Sequence, residues 1–239
     1  MRLDKLLAHC GYGTRKEVKS IIKKGYVFVN DVMVKQDKYQ IDPDNDIIVV
    51  NDERIEYQEF VYYMLNKPQG YVSATEDIHY PTVVDLIGDY NHEIFPIGRL
   101  DIDTEGLLIL SNDGKLAHDL LSPKKHCSKI YYVEVEGIVD DEDQIIFKEG
   151  VVIDTGYKCL SSSLKVLKVE NGMSYVEITI YEGKYHQVKK MFKAVGKKVV
   201  FLKRIQMGNL RLDPNLKLGE YKILEKEDLD SLMSKNMLE

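Results

Sequence analysis

The sequence predicts an α+β protein in two parts, and three observations carry that prediction. Within residues 1–35 apolar side chains recur at helical spacing and then alternate, as two helices followed by a hairpin would require. From Phe60 onward, short runs rich in β-branched and aromatic residues mostly follow one another with few helices between them, which argues for a mixed or antiparallel sheet flanked by helices. Between the two lies an acidic, polar stretch, KYQIDPDNDIIVVNDERIEYQE, which reads as the hairpin's last strand and a linker. The expected domains are therefore 1–58 and 59–239.

The elements follow in order. Leu3, Leu6 and Leu7, then Val18, Ile21 and Ile22, mark two helices, with GYG breaking one from the next. Thr14 followed by Glu17 fits a capping box at the start of the second helix. Gly25 ends that helix, and YVFVNDVMV alternates across Asn30-Asp31, a tight hairpin turn. In the larger part FVYYMLNKP, GYVSAT, IFPIG, LLILSND, KIYYVEVEG, LKVLKV, SYVEITIYEG and VVFLKRI are expected strands, with a hairpin at Asn171-Gly172. Helices are expected around 82–87, 115–121, 140–149, 186–195 and 226–234.

Composition narrows the function classes. With 44% hydrophobic and 30% charged residues over 239 positions, the chain has the make-up of an ordinary globular protein with a real core. No run approaches the ~18–20 apolar residues of a membrane span, and MRLDKLLAHCGYG lacks the features of a signal peptide, so a cytoplasmic protein without membrane contact is expected. Cys10, Cys127 and Cys159 are odd in number and widely spaced, which argues against a disulfide framework or a zinc site.

A net charge of −6 argues against a nucleic-acid partner until its distribution is considered. Residues 1–35 hold eight Lys/Arg against three acids, and 184–204 hold eight with no acid. Such segregation gives local positive fields on an acidic molecule. Arg15, Lys16, Lys19 and Lys23 fall mostly on one face of the second helix, opposite its apolar stripe, and make a candidate phosphate-binding surface together with Arg2. Lys190 and Lys193 belong to the second basic run.

One stretch, GRLDIDTEGLL at 98–108, concentrates three carboxylates and two glycines. Asp101, Asp103, Glu105 and Gly106 begin like a calcium loop, but the twelfth position is Asn112 instead of Glu and the flanks read as strands, so calcium is excluded. What remains is an aspartate on a turn at a sheet edge, a place that suits function, although a lone Asp in a turn is more often structural.

Company decides between those readings. RLDKLLAHCGYGTRKEVKSIIKKGYVFVNDVMV resembles the alpha-L RNA-binding module of the ribosomal-protein-S-four type, with Thr14 where Ser is usual and Asp31 where Gly is frequent. MLNKPQGYVSAT, GRLDIDTEGLLIL, SKIYYV and EGKYHQVKKMFKAVGKKVVFLKR, in that order, resemble the pseudouridine synthases that modify single uridines of ribosomal RNA. The resemblance spans the full length. Among subfamilies, LNKPQGY, GRLDIDT and EGKYHQVKKMF most resemble the small-subunit enzymes that convert uridine 516 of 16S ribosomal RNA.

That resemblance implies roles residue by residue. Asp101 is the catalytic carboxylate that detaches uracil from ribose so that the base can rejoin through carbon 5. Lys189 is its ion-pair partner, needed because a buried Asp would otherwise lose its charge. Tyr131 contacts the target base, Leu202 packs on the uracil, and Arg99 supports the flipped nucleotide or its phosphate. His186 orients its loop by hydrogen bonding, and Lys67 stabilises the site, touches the backbone or is equally a structural lysine. Asp103 and Glu105 are turn-stabilising or solvent-facing, while Lys190 and Lys193 contact phosphate or face solvent. Neither metal nor cofactor is implied. The expected partner of a monomeric enzyme is ribosomal RNA, 16S within a ribosome or an assembly intermediate. A 23S-specific sister enzyme and a non-catalytic RNA-binding or assembly protein are the alternatives.

Overall fold

The computed structural model describes residues 1–43, 45–55, 57–89, 93–122 and 125–233. Its packing divides the chain into two units, Met1–Val61 with Asp89–Ile94, and Tyr62–Gly88 with Phe95–Glu239.

In the first unit helices α1 (Leu3–His9) and α2 (Arg15–Lys23) pack on a small sheet. The capping box at α2 forms in both directions: Thr14 N donates to Glu17 Oε2 at 2.7 Å, and Glu17 N donates to Thr14 Oγ1 at 3.4 Å. Strands β1 (Val27–Val29) and β2 (Val32–Met33) join through Asn30 and Asp31, whose φ values of 49° and 64° are the left-handed pair that a two-residue hairpin needs. The acidic stretch expected as one strand and a linker departs from that reading. Asn51 and Asp52, at φ 50° and 66°, repeat the same turn and fold it into a second hairpin, β3 (Ile48–Val50) with β4 (Glu53–Arg54). The sheet order is β2-β1-β3-β4. Leu3, Leu6, Leu7, Val18 and Ile22 close on Val27, Val29, Ile48 and Val50 to form its core.

The second unit runs β5 (Tyr62–Lys67), α3 (Val83–Ile87), β6 (Phe95–Ile97), β7 (Glu105–Ser111), α4 (Gly114–Leu121), β8 (Lys129–Glu136), α5 (Asp141–Glu149), β9 (Ser163–Glu170), β10 (Met173–Ile180), α6 (Gln187–Ala194), β11 (Lys198–Met207), β12 (Leu210–Arg211), β13 (Tyr221–Ile223) and α7 (Lys226–Met233). Position 234, the expected end of the last helix, lies outside the described residues. The main sheet has the order β13-β5-β7-β11-β8-β10-β9, with β6 paired to β7 and β12 to β11. Among the described residues β7 and β11 form its one parallel pair; the rest is antiparallel.

That parallel contact is unusually close. Gly106 on β7 stands beside Arg204 on β11, and a Cβ there would lie 2.2 Å from the Arg204 carbonyl oxygen, so only glycine fits, at φ +101°. The strand expected at GYVSAT is absent. Only Val72 makes an isolated bridge, to Thr82. The segment's polar groups are divided between two partners: Val72 N donates to Pro81 O at 3.0 Å and Val72 O accepts from Val83 N at 3.0 Å, while Ser73 Oγ donates to Leu100 O at 2.9 Å and accepts from Leu100 N at 3.1 Å, and Gly70 N donates to Ile102 O at 2.8 Å. β propensity favours a strand there, and the demand for partners beside Asp101 overrides it.

Candidate active site

Asp101 opens a turn that leads into β7, its carbonyl accepting from Thr104 N at 3.0 Å. The turn is pinned from beneath by Lys67, the last residue of β5, which is fully buried. Its ammonium donates to the carbonyls of Thr104 at 2.9 Å, Asp101 at 3.0 Å and Pro68 at 3.1 Å. Three N–H groups meet three acceptors, which satisfies the cation without a carboxylate in contact. Burial still pushes Lys67 down to about 8, against the upward pull of Asp101, Asp103 and Glu105.

From the other side comes α6. His186 precedes it in a left-handed conformation, φ 53°, and its Nε2 lies 3.4 Å from Asp101 Oδ1. Lys189, within the first turn, places Nζ 3.2 Å from Asp101 Oδ2 and 2.5 Å from Asp103 Oδ1. The geometry amends the sequence reading twice. The Asp101 side chain is a quarter exposed instead of buried, because the turn projects beyond the sheet. Asp103 does face solvent, yet it also shares the lysine. For Asp103 burial works upward, but the Lys189 hydrogen bond and charge outweigh it and hold the carboxyl below its ordinary value. For Lys189 burial works downward, and Asp103 and Asp101 outweigh it, leaving the ammonium above its ordinary value.

The start of α6 is anchored by a network that the sequence did not disclose. Buried Glu182 accepts from Tyr157 Oη at 2.7 Å, Leu160 N at 2.9 Å and Gln187 Nε2 at 3.0 Å, while Gln187 Oε1 accepts from Lys184 N at 2.8 Å. Lys189 thus approaches Asp101 from a helix whose first residue is fixed. The only available signal was position: Glu182 closes a strand and Gln187 opens the basic helix. Tyr185, strongly exposed, stacks on His186 with ring centroids 3.8 Å apart and planes 19° from parallel. It too was missed.

Tyr131 and Leu202 come to one face of the sheet. On β8 Tyr131 stands opposite Arg204, and Val133, two residues along, stands opposite Leu202. Both are nearly buried. Arg204, buried on that face, donates from Nε to Leu107 O at 2.7 Å and so ties β11 to β7.

Arg99 is exposed, two residues before Asp101. Lys190 pairs with Asp154 at 3.2 Å and lies 5.6 Å from the Tyr185 ring centroid, and Lys193 is exposed. In the first unit Arg15, Lys16 and Lys23 are exposed on α2, whereas Arg2 is paired with buried Asp4 at 2.6 Å and Lys19 with Asp37 at 3.3 Å. Among the described residues no group of three or more His, Cys, Asp or Glu is placed to hold a metal ion. Nor is any helix among them long and apolar enough to cross a membrane.

Comparison with known proteins supplies the class first. Residues 61–194 match the family model for RNA pseudouridylate synthase, and residues 1–48 match the S4 domain. The chain therefore belongs to the RNA pseudouridylate synthase family: it is a pseudouridine synthase that carries an N-terminal S4 domain and acts on RNA. At 50% identity over 234 residues, covering 97% of this chain and 98% of the relative, it is similar to a Bacillus subtilis protein named uncharacterized RNA pseudouridine synthase YtzG. It is 38% identical to ribosomal small subunit pseudouridine synthase A of Haemophilus influenzae, covering 98% of this chain and all of the relative. A solved crystal structure of a pseudouridylate synthase, 37% identical, superposes with a TM-score of 0.68 over 97% of this chain and 99% of that one.

Proposed function

We propose that this pseudouridine synthase acts on ribosomal RNA, and specifically on uridine 516 of the 16S molecule. The observation that carries the choice of RNA is the full-length similarity, at 36–38% identity, to enzymes named ribosomal small subunit pseudouridine synthase A, which extends through the S4 domain as well as the catalytic unit. The two domains are taken as residues 1–58 and 59–239, working as a monomer in the cytoplasm.

In this reading Asp101 is the catalytic carboxylate. The reaction breaks the bond between ribose C1′ and uracil N1, turns the base, and joins C1′ to C5, with C5 losing a proton and N1 carrying one in the product. A carboxylate suits this as a compact group, ionised at neutral pH, that serves as nucleophile or base. Lys189 and His186 support its charge and orientation, Lys67 holds its backbone, and Tyr131 and Leu202 form a wall for the uracil. Arg99 supports the extruded nucleotide, since a stacked base must leave its helix before the bond is reached. Arg15, Lys16 and Lys23 give the S4 domain its phosphate contacts.

The test is a map of pseudouridine in 16S and 23S ribosomal RNA from cells with and without the gene, repeated with purified protein on each transcript. Loss of one 16S pseudouridine at position 516, restored in vitro, is the expected result. Loss from 23S alone would move the substrate to the large subunit, and loss from neither would remove ribosomal RNA altogether.

A further inference from the structure

Beside the catalytic turn stands an aromatic surface with no role in the reading above. Tyr185 is 74% exposed, an unusual setting for a tyrosine whose ring is also ordered by stacking. Its ring lies 3.8 Å from His186, and His186 in turn lies 3.4 Å from Asp101, so the stack adjoins the reacting centre directly. The pair is held in place from below. His186 takes a left-handed backbone conformation that a non-glycine residue adopts only when its surroundings impose it, and the next residue, Gln187, is clamped by Glu182. Lys190 Nζ lies 5.6 Å from the Tyr185 ring centroid while Asp154 holds the ammonium at 3.2 Å, which adds a cation to the ring's electron-rich face.

An aromatic ring stacked on one neighbour, largely open to solvent and with a lysine ammonium nearby, has the chemistry of a nucleobase stacking platform. Every base has a π face, so such a platform binds regardless of sequence, and an adjoining cation favours the phosphate between neighbouring bases. We infer that Tyr185 is a stacking subsite for an RNA base next to the target uridine, occupied while that uridine is turned into the site at Asp101. This rests on the uridine-isomerising role of Asp101. The tyrosine replaces stacking that the neighbouring base loses when the target leaves the helix, and so it offsets part of the cost of extrusion. Its contribution is to binding, and its hydroxyl takes no part.

The experiment uses the full chain and transcribed 16S ribosomal RNA. Tyr185→Ala should raise KM by roughly 5- to 150-fold, the range that base–aromatic stacking spans, with kcat within about threefold of wild type. Tyr185→Phe and Tyr185→Trp should remain within about twofold of wild type on both constants, because the ring is what binds. With wild-type protein, RNA carrying 5-iodouridine on either side of the modified uridine should crosslink on irradiation to the peptide containing Tyr185. A Tyr185→Ala enzyme with unchanged KM would overturn the subsite. So would a loss confined to kcat, which would make the ring a support for His186, a loss in Tyr185→Phe equal to that in Tyr185→Ala, or crosslinks found only elsewhere. Wild-type protein inactive on the transcript would count against the proposed substrate instead, and the crosslink would then be sought on whichever RNA is modified.

Discussion

Lys67 and Asp101 are joined through backbone: the buried ammonium donates to the Asp101 carbonyl at 3.0 Å and leaves the Asp101 carboxylate to Lys189 and His186. One cation holds the backbone of the aspartate proposed as catalytic and another faces its carboxylate.

Lys67 sets a pH dependence in which activity and stability part. Its value of about 8 lies below the ordinary 10.5, so between those limits the unfolded chain binds more protons than the folded one, and this group's contribution to stability rises with pH. Over the same interval the amine keeps two N–H groups for three carbonyls, and the turn loses a hydrogen bond. Turnover should therefore decline above about pH 8 while thermal stability does not fall with it. Parallel decline of both, followed by kcat and melting temperature, would count against this account. Lys67→Met should lower kcat strongly, because three buried carbonyls lose their donor.

Asp101→Asn removes charge at nearly constant shape. Turnover should drop by about 10²–10⁴-fold or more, with RNA affinity retained. Asp103→Asn should be milder, roughly 3- to 30-fold, since it loosens Lys189 without touching the reacting group, an allowance in line with a partly exposed charged hydrogen bond. Single-turnover assays separate the two, and equal losses would show that the roles within the turn are misassigned.

Lys189→Met should reduce kcat by about 10- to 100-fold and stability by about 1 kcal/mol or less, because the pair is open to solvent on the Asp103 side. The raised ammonium of Lys189 gives stability that is present below 10.5 and lost as pH rises through its folded value. The lowered carboxyl of Asp103 gives stability present above 3.8 and lost as pH falls through its folded value. The link thus holds across the whole neutral range, and its removal should scale activity without bending the profile between pH 5 and 7. Lys189→Arg, which keeps charge but not geometry, should lie between.

Replacing Arg15, Lys16 and Lys23 together by Ala should weaken RNA binding and flatten the plot of log affinity against log salt by about 2–3 in slope, as three phosphate contacts would require. Filter binding over a salt series measures it. An unchanged slope would take the docking surface away from α2.

Much of the fold could be read where the signal is local. Asn30-Asp31 and Asn171-Gly172 supply paired left-handed residues, and Thr14 with Glu17 supplies its own cap. The Asn51-Asp52 hairpin carried the same signal and was hidden by acidic composition, which resembles that of a linker. What escaped was decided by distant partners. GYVSAT has strand composition, but its hydrogen bonds go to residues 81–83 and 100–102 instead of to a strand of the sheet. The meeting of Asp103 and Lys189 spans 86 residues, and no spacing rule expresses it; only the resemblance to a family placed Lys189 beside the turn. Lys67 closes a largely buried strand, and a lysine there is ambiguous until three carbonyls are found around it.

The strand order also governs when this enzyme comes into being. As the chain is synthesised, β5, β6 and β7 can pair early, and β8, β9 and β10 can form a separate three-stranded antiparallel group with β10 in its middle, but β11 has its place between β7 and β8. Until it is laid there, the half-sheet that leads from Asp101 and the half-sheet that leads to Lys189 have no strand between them, and closing so long a loop is a slow, non-local step. A nascent chain halted before residue 198 therefore presents an S4 domain without a working isomerase. One central strand thus joins the two halves of the sheet that carry the site's residues.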